Sequence, residues 1–155
     1  MVTEALSGIV LASEERVVSN VSLITSNLTP WVKLNLVLTN RRLAGKNPNF
    51  LLGLIPTGSS SVTYPLSNIA GVATNTRISI LGLIFGAIFV LVGITDLRAV
   101  LSLVIGVVLL LNAFYADIQV TNSGGAKLSH RVSIFNKGAA ESFVHEVNTA
   151  IAERG

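Results

Sequence analysis

"GLIFGAIFVLVGITDLRAVLSLVIGVVLLL", running from Gly82 to Leu111, decides how the rest of the chain is read. Its only charged residues are Asp96 and Arg98, together in the break "TDLR" at Thr95–Arg98. Neither half shows the polar stripe at 3.6-residue spacing that lets a helix face a core on one side and water on the other. The halves, Ile78–Ile94 and Ala99–Tyr115, hold about 17 residues each. At 1.5 Å per residue each spans roughly 25 Å, the short end of what a bilayer requires. A small domain could not bury two helices that are apolar all round, so the expectation is a two-helix transmembrane hairpin over 78–115.

Composition agrees. Half of the 155 residues are hydrophobic and only 12% are charged, against about 25% in ordinary globular domains. That excess sits between Ile78 and Tyr115. The length allows one domain plus an appendage. Eleven Lys and Arg against eight Asp and Glu give a net charge of +3. There is no Lys/Arg run and little basic–aromatic interleaving, so nucleic acid is not expected as a partner. An anionic lipid surface accounts for the mild positive charge. With no Cys, disulfides, thiol chemistry and Cys-based metal sites are excluded. The start, "MVTEALSGIVLASEER", has no basic region and does not read as a secretory signal.

Outside the apolar pair the pattern is that of strands. In "WVKLNLVLTN", Leu34, Leu36 and Leu38 share one face, while Lys33, Asn35 and Thr39 take the other. "TNRR" follows as a hairpin turn. "PNFLLGLIPTGSSS" reads as irregular, being broken by Pro48, Gly53, Pro56 and Gly58 and ending in a flexible Ser run. "SVTYPL", "SNIAGVATNTR", "ADIQVTN" and "AKLSHRVSIF" supply further strands. The tail changes period: Ala140, Phe143, Val144, Val147 and Ile151 form one helical stripe, with Asn136 as the expected N-cap. The soluble part thus comprises 1–77 and 116–155, an α+β unit closed by a C-terminal amphipathic helix.

"LTNRRL" at Leu38–Leu43, "YPLSNIAGV" at Tyr64–Val72 and the tail "VSIFNKGAAESFVHEVNTAIAER" resemble the bacterial pleckstrin-homology-like (PH-like) domains. The resemblance implies a bent antiparallel sheet or open barrel with the terminal helix plugging one end, here carrying an inserted hairpin. It also implies self-association, which similar bacterial domains show. It does not bring phosphoinositide binding, because Lys33 stands alone where lipid-binding members carry a basic cluster.

Several residues are candidates for packing or contact. Gly82 and Gly86 form a G-x-x-x-G pair, and Gly93 and Gly106 could help the two helices approach; the alternative is that Gly is simply common in membrane helices. Asn112 either bonds across the helices or sits at the interface. Phe50, Leu51, Leu52, Leu54 and Ile55 make an apolar loop that enters the bilayer, covers a neighbouring subunit or packs on its own core. Arg77, Arg41 and Arg42 are candidates for anionic lipid contact. Arg77, Lys127, Arg131 and Lys137 flank the apolar pair, against Arg98 alone in its turn. The positive-inside rule therefore puts the soluble part in the cytoplasm, at the inner membrane.

The chemistry-bearing inventory is short. His130 is either a core histidine or a ligand, and His145 shares a polar helix face with Glu141 and Glu146. No His spacing suits a metal, and "TGSSS" lacks the Lys of a phosphate-binding loop. No catalytic residue and no cofactor is expected. The expected function is a membrane-anchored scaffold or assembly protein, homo-oligomeric and in contact with lipid. The alternatives are a pore-like oligomer, or an accessory subunit bound to a protein of a membrane complex.

Overall fold

A computed structural model describes residues 11–51, 55–96 and 99–153. The first four strands, β1 (Val17–Ile24), β2 (Lys33–Thr39), β3 (Arg42–Leu51) and β4 (Ile55–Pro65), form one antiparallel sheet in chain order. The alternation in β2 sets the register: Leu34 lies opposite Leu23 and Leu36 opposite Val21. Leu34, Leu36 and Leu38 are all buried.

β3 and β4 continue past the end of β2. β2 pairs with β3 only as far as Lys46, whereas β3 and β4 stay paired to Leu51 and Ile55. The described part of the stretch read as irregular, up to Leu51 and from Ile55 on, is therefore a two-stranded ribbon. Pro48 lies beyond β2, and Pro56 is on β4, an edge strand; proline is tolerated where the ladder does not need its N–H. Gly58, at φ 142°, lies opposite Asn49 beside a register shift. Ser59–Ser61 pair with Pro48, Asn47 and Lys46, so the serine run is strand rather than a flexible turn.

A short 3-10 turn at Leu66–Asn68 leads into a second antiparallel sheet. It comprises β5 (Ile69–Ile78), β6 (Phe114–Asn122) and β7 (Lys127–Ser133). A second 3-10 turn, Ile134–Asn136, precedes helix α3 (Lys137–Ala152). Asn136 occupies the N-cap position but makes no side-chain cap bond; Ser133 instead accepts from the Phe135 N–H at 3.2 Å. The helical stripe buries Ala140, Phe143, Val144 and Val147 against both sheets. Asn148 fastens α3 to β5: its Oδ1 accepts from the Val72 N–H at 3.0 Å and its Nδ2 donates to the Val72 carbonyl at 2.8 Å.

The chain is thus α+β, with two separate antiparallel sheets. This corrects the barrel implied by the resemblance, because the described strands do not close on one another. The segment between β5 and β6 forms two helices, α1 (Ile80–Thr95) and α2 (Val100–Ala113).

The expected transmembrane hairpin is also corrected. Among the described residues no helix is long and apolar enough to cross a membrane. At 16 and 14 residues, the helices reach about 24 and 21 Å, short of a hydrocarbon core about 30 Å thick. Ile78, Phe114 and Tyr115, counted as helical from their apolarity, belong to β5 and β6, where Ile78 pairs with Phe114 and Arg77 with Tyr115. With the span goes the basis for membrane anchoring and for an inner-membrane location.

Candidate functional site

The helical hairpin is held together by its glycines. Gly86, Gly93 and Gly106 are buried where α1 meets α2. A Cβ at Gly93 would come within 2.6 Å of the Leu103 backbone nitrogen, and one at Gly106 within 2.6 Å of that of Val90. At Gly86 the Leu110 side chain would stand at 2.8 Å. Gly82 is looser, its nearest neighbour being Ala113 Cβ at 3.2 Å. All four glycines lie along the contact inside the hairpin.

The outward surfaces are the opposite in character. Leu81 is 68% exposed and Leu101 72%. Ile80, Ile84, Phe85, Ile88, Leu91, Ile94, Val100, Val104 and Leu111 are also exposed. Neither helix carries a charged residue. A folded monomer ordinarily exposes apolar patches of at most a few hundred Å². Large apolar side chains exposed along both helices form one such patch.

The root of the hairpin is polar. The Ser79 N–H donates to the Ala113 carbonyl at 2.8 Å, and the Ser79 hydroxyl accepts from the Gly82 N–H at 3.2 Å, capping α1. Among the described residues the Asn112 side chain reaches out of the hairpin: its Oδ1 accepts from the Ser26 hydroxyl at 3.0 Å. Asn27 Nδ2 donates to the Leu111 carbonyl at 3.0 Å, and Asn27 Oδ1 accepts from Ser133. The β1–β2 loop thus clamps the last turn of α2.

Beside this root lies a cleft of about 400 Å³ on the outer face of the second sheet, lined by Arg77, Tyr115, Asp117, Gln119, Ser129 and Arg131. The register builds it, placing Arg77 opposite Tyr115, and Tyr115, Asp117 and Gln119 opposite Ser133, Arg131 and Ser129. Arg77 Nε donates to Asp117 Oδ2 at 3.0 Å, and the Ser129 hydroxyl donates to Asp117 Oδ1. The Asp117 side chain is only 6% exposed, whereas Arg77 is 52% exposed. Arg131 donates to the Asn112 carbonyl at 2.7 Å and lies 4.1 Å over the Tyr115 ring. The sequence offers Arg131 only as a positive charge; the alternation of "ADIQVTN", with Asp117 and Gln119 on the polar side, is the one signal that could have pointed to this face.

The other candidate residues are dispersed. Arg42 is engaged by Glu15, with Nε on Oε1 at 2.7 Å and a terminal nitrogen on Oε2 at 2.9 Å. Arg41 makes an exposed pair with Glu14 at 3.6 Å. Phe50, Leu51 and Ile55 lie in the paired backbone of β3 and β4; Leu52 and Leu54 fall outside the described residues. His130 points inward and lines a small core cavity of about 10 Å³ with Tyr64 and Phe143. Burial pushes its pKa down, opposed by the Asp117 carboxylate. His145 is exposed on α3. Among the described residues no three His, Cys, Asp or Glu side chains are grouped to hold a metal ion.

No family model, no curated protein and no solved structure matches the chain.

Proposed function

We propose that this protein is an assembly module whose helical hairpin is its contact surface, covered by the hairpin of a second copy. The observation that carries this reading is the continuous, uncharged apolar exterior of α1 and α2, with Leu81 and Leu101 mostly exposed. The glycines are all used inside the hairpin, so the outward faces are left mainly to large apolar side chains such as Ile84, Phe85 and Leu101. Two antiparallel hairpins pairing through such faces make a four-helix bundle, a common way to bury apolar helices. The resemblance of Leu38–Leu43 and Tyr64–Val72 to bacterial PH-like domains, which tend to self-associate, favours the same reading.

The test is the mass of the full chain in detergent-free buffer, by light scattering and native mass spectrometry, beside the variants Ile84→Glu and Leu101→Glu. A defined wild-type oligomer that falls to monomer in either variant is the expected result. A wild-type monomer overturns the proposal. So does protein that leaves solution for phosphatidylcholine vesicles through the same side chains, which would give this surface to lipid.

A further inference from the structure

We infer that the cleft at the root of the hairpin binds a phosphoryl group, as free phosphate or as a phosphomonoester. This goes beyond assembly and does not depend on it. The argument rests on how the two arginines are held. Each guanidinium is fixed by a partner that uses only part of its donor set: Arg77 by the buried Asp117, Arg131 by the Asn112 carbonyl and the Tyr115 ring. An arginine has five N–H donors in a planar fork. Both therefore keep donors for a ligand while their side-chain entropy is already restricted.

The charge count has the right sign. Arg77 and Arg131 against Asp117 leave one net positive charge in the cleft. Asp117 Oδ1 and Oδ2 are turned to Ser129 and Arg77, so the carboxylate acts as the brace that orients Arg77. Gln119 and Ser129 add polar groups to the floor. Pre-oriented arginine pairs suit the tetrahedral oxygens of a phosphoryl group, because charge-assisted bonds to an oxyanion are about twice as strong as neutral ones. The depression opens widely to solvent and offers about 400 Å³ to a phosphate with a small organic substituent.

The experiment is a titration of the full chain with inorganic phosphate and with glycerol 3-phosphate at constant ionic strength. It is followed by the NMR signals of the Arg77 and Arg131 Nε–H groups and of the Gln119 and Ser129 amides. Saturable shifts confined to these groups are expected. They should weaken at least about tenfold in Arg131→Gln and in Gln119→Glu, and stay unchanged in Arg41→Gln. Gln119→Glu adds a negative charge without removing any bond described above, so it keeps the test decisive if Arg131→Gln fails to fold. A parallel arm presents the phosphoryl group on vesicles containing phosphatidic acid. Binding to free phosphate assigns a dissolved ligand, while Arg131-dependent binding to those vesicles alone assigns a headgroup. Absence of saturation in both arms, or an equal response in Gln119→Glu, overturns the inference.

Discussion

The Ser26 hydroxyl donates to the Asn112 side-chain carbonyl at 3.0 Å, tying the β1–β2 loop of one sheet to the helix that emerges from the other. The same loop holds the neighbouring residue, through Asn27 Nδ2 on the Leu111 carbonyl at 3.0 Å. The hairpin is therefore fixed to both sheets. Asn112→Ala removes the side-chain bond but leaves the carbonyl that Arg131 uses. It should cost about 1 kcal/mol in denaturant unfolding. Hydrogen exchange should rise in the β1–β2 loop first. Exchange unchanged there would mean that the clamp does not hold the loop.

The glycines of the hairpin allow a sign test. Gly→Ala inside an exposed helix ordinarily stabilises by about 1 kcal/mol. At Gly93 the new methyl would lie 2.6 Å from Leu103 backbone atoms, which cannot give way as a flexible side chain can. Gly93→Ala and Gly106→Ala should destabilise, by about 1–3 kcal/mol. Gly82→Ala, with 3.2 Å to the Ala113 Cβ and 3.3 Å to the Ser79 Oγ, should cost clearly less than either. Thermal unfolding of the three variants separates close packing from simple helix propensity.

Glu15 predicts a specific acid sensitivity. The Arg42 guanidinium, helped by the Ala12 N–H and the Thr39 hydroxyl, lowers its pKa from 4.5 to about 2 against the opposing effect of burial. A lowered carboxylate pKa means that the unfolded chain binds the proton more readily. The stabilisation is thus present above about pH 4.5 and is lost as pH falls toward 2. Glu15→Gln should cost about 2–4 kcal/mol at neutral pH, since it breaks an ion pair whose carboxylate is buried. It should also flatten the stability profile between those two pH values, as read by denaturant midpoints.

Tyr64 and His130 share the small core cavity. The buried Tyr64 hydroxyl has no hydrogen-bond partner among the described residues, so Tyr64→Phe should be neutral or stabilising by up to about 1 kcal/mol. His130 has a lowered pKa, so its contribution is intact above its ordinary value of 6.5 and declines as pH falls below it. His130→Leu should remove that part of the pH dependence. Denaturant unfolding of both variants across pH 5–8 checks the pair; a costly Tyr64→Phe would mean that the hydroxyl is satisfied after all.

Much of the sheet-and-helix body is legible in the residues. Leu34, Leu36 and Leu38 announce β2 by alternation, and Ala140, Phe143, Val144 and Val147 announce α3 by helical period. What misled was apolarity without period. Ile78, Phe114 and Tyr115 extend the greasy runs on both sides, and nothing local separates an apolar strand end from an apolar helix end. Their cross-strand partners decide, and those lie on the far side of the insertion. Pro48 and Pro56 likewise suggest a loop because a proline's harm depends on whether its N–H is wanted, which is a matter of neighbours. The arginine cleft was hidden for the same reason. Arg77, Asp117 and Arg131 lie on three different strands, and only the register brings them together. Asn112 suggests either a bond between helices or an interfacial position, and its partner, Ser26, lies 86 residues earlier in the β1–β2 loop.

Ile78 and Phe114 already stand opposite one another in an antiparallel pair. Two strands in that relation need only a two-residue Asn-Gly turn to be joined. Everything from Ser79 to Ala113 is therefore a detour that the sheet does not require for its own connectivity. The detour could be lengthened, exchanged or deleted while the strands beneath it kept their places.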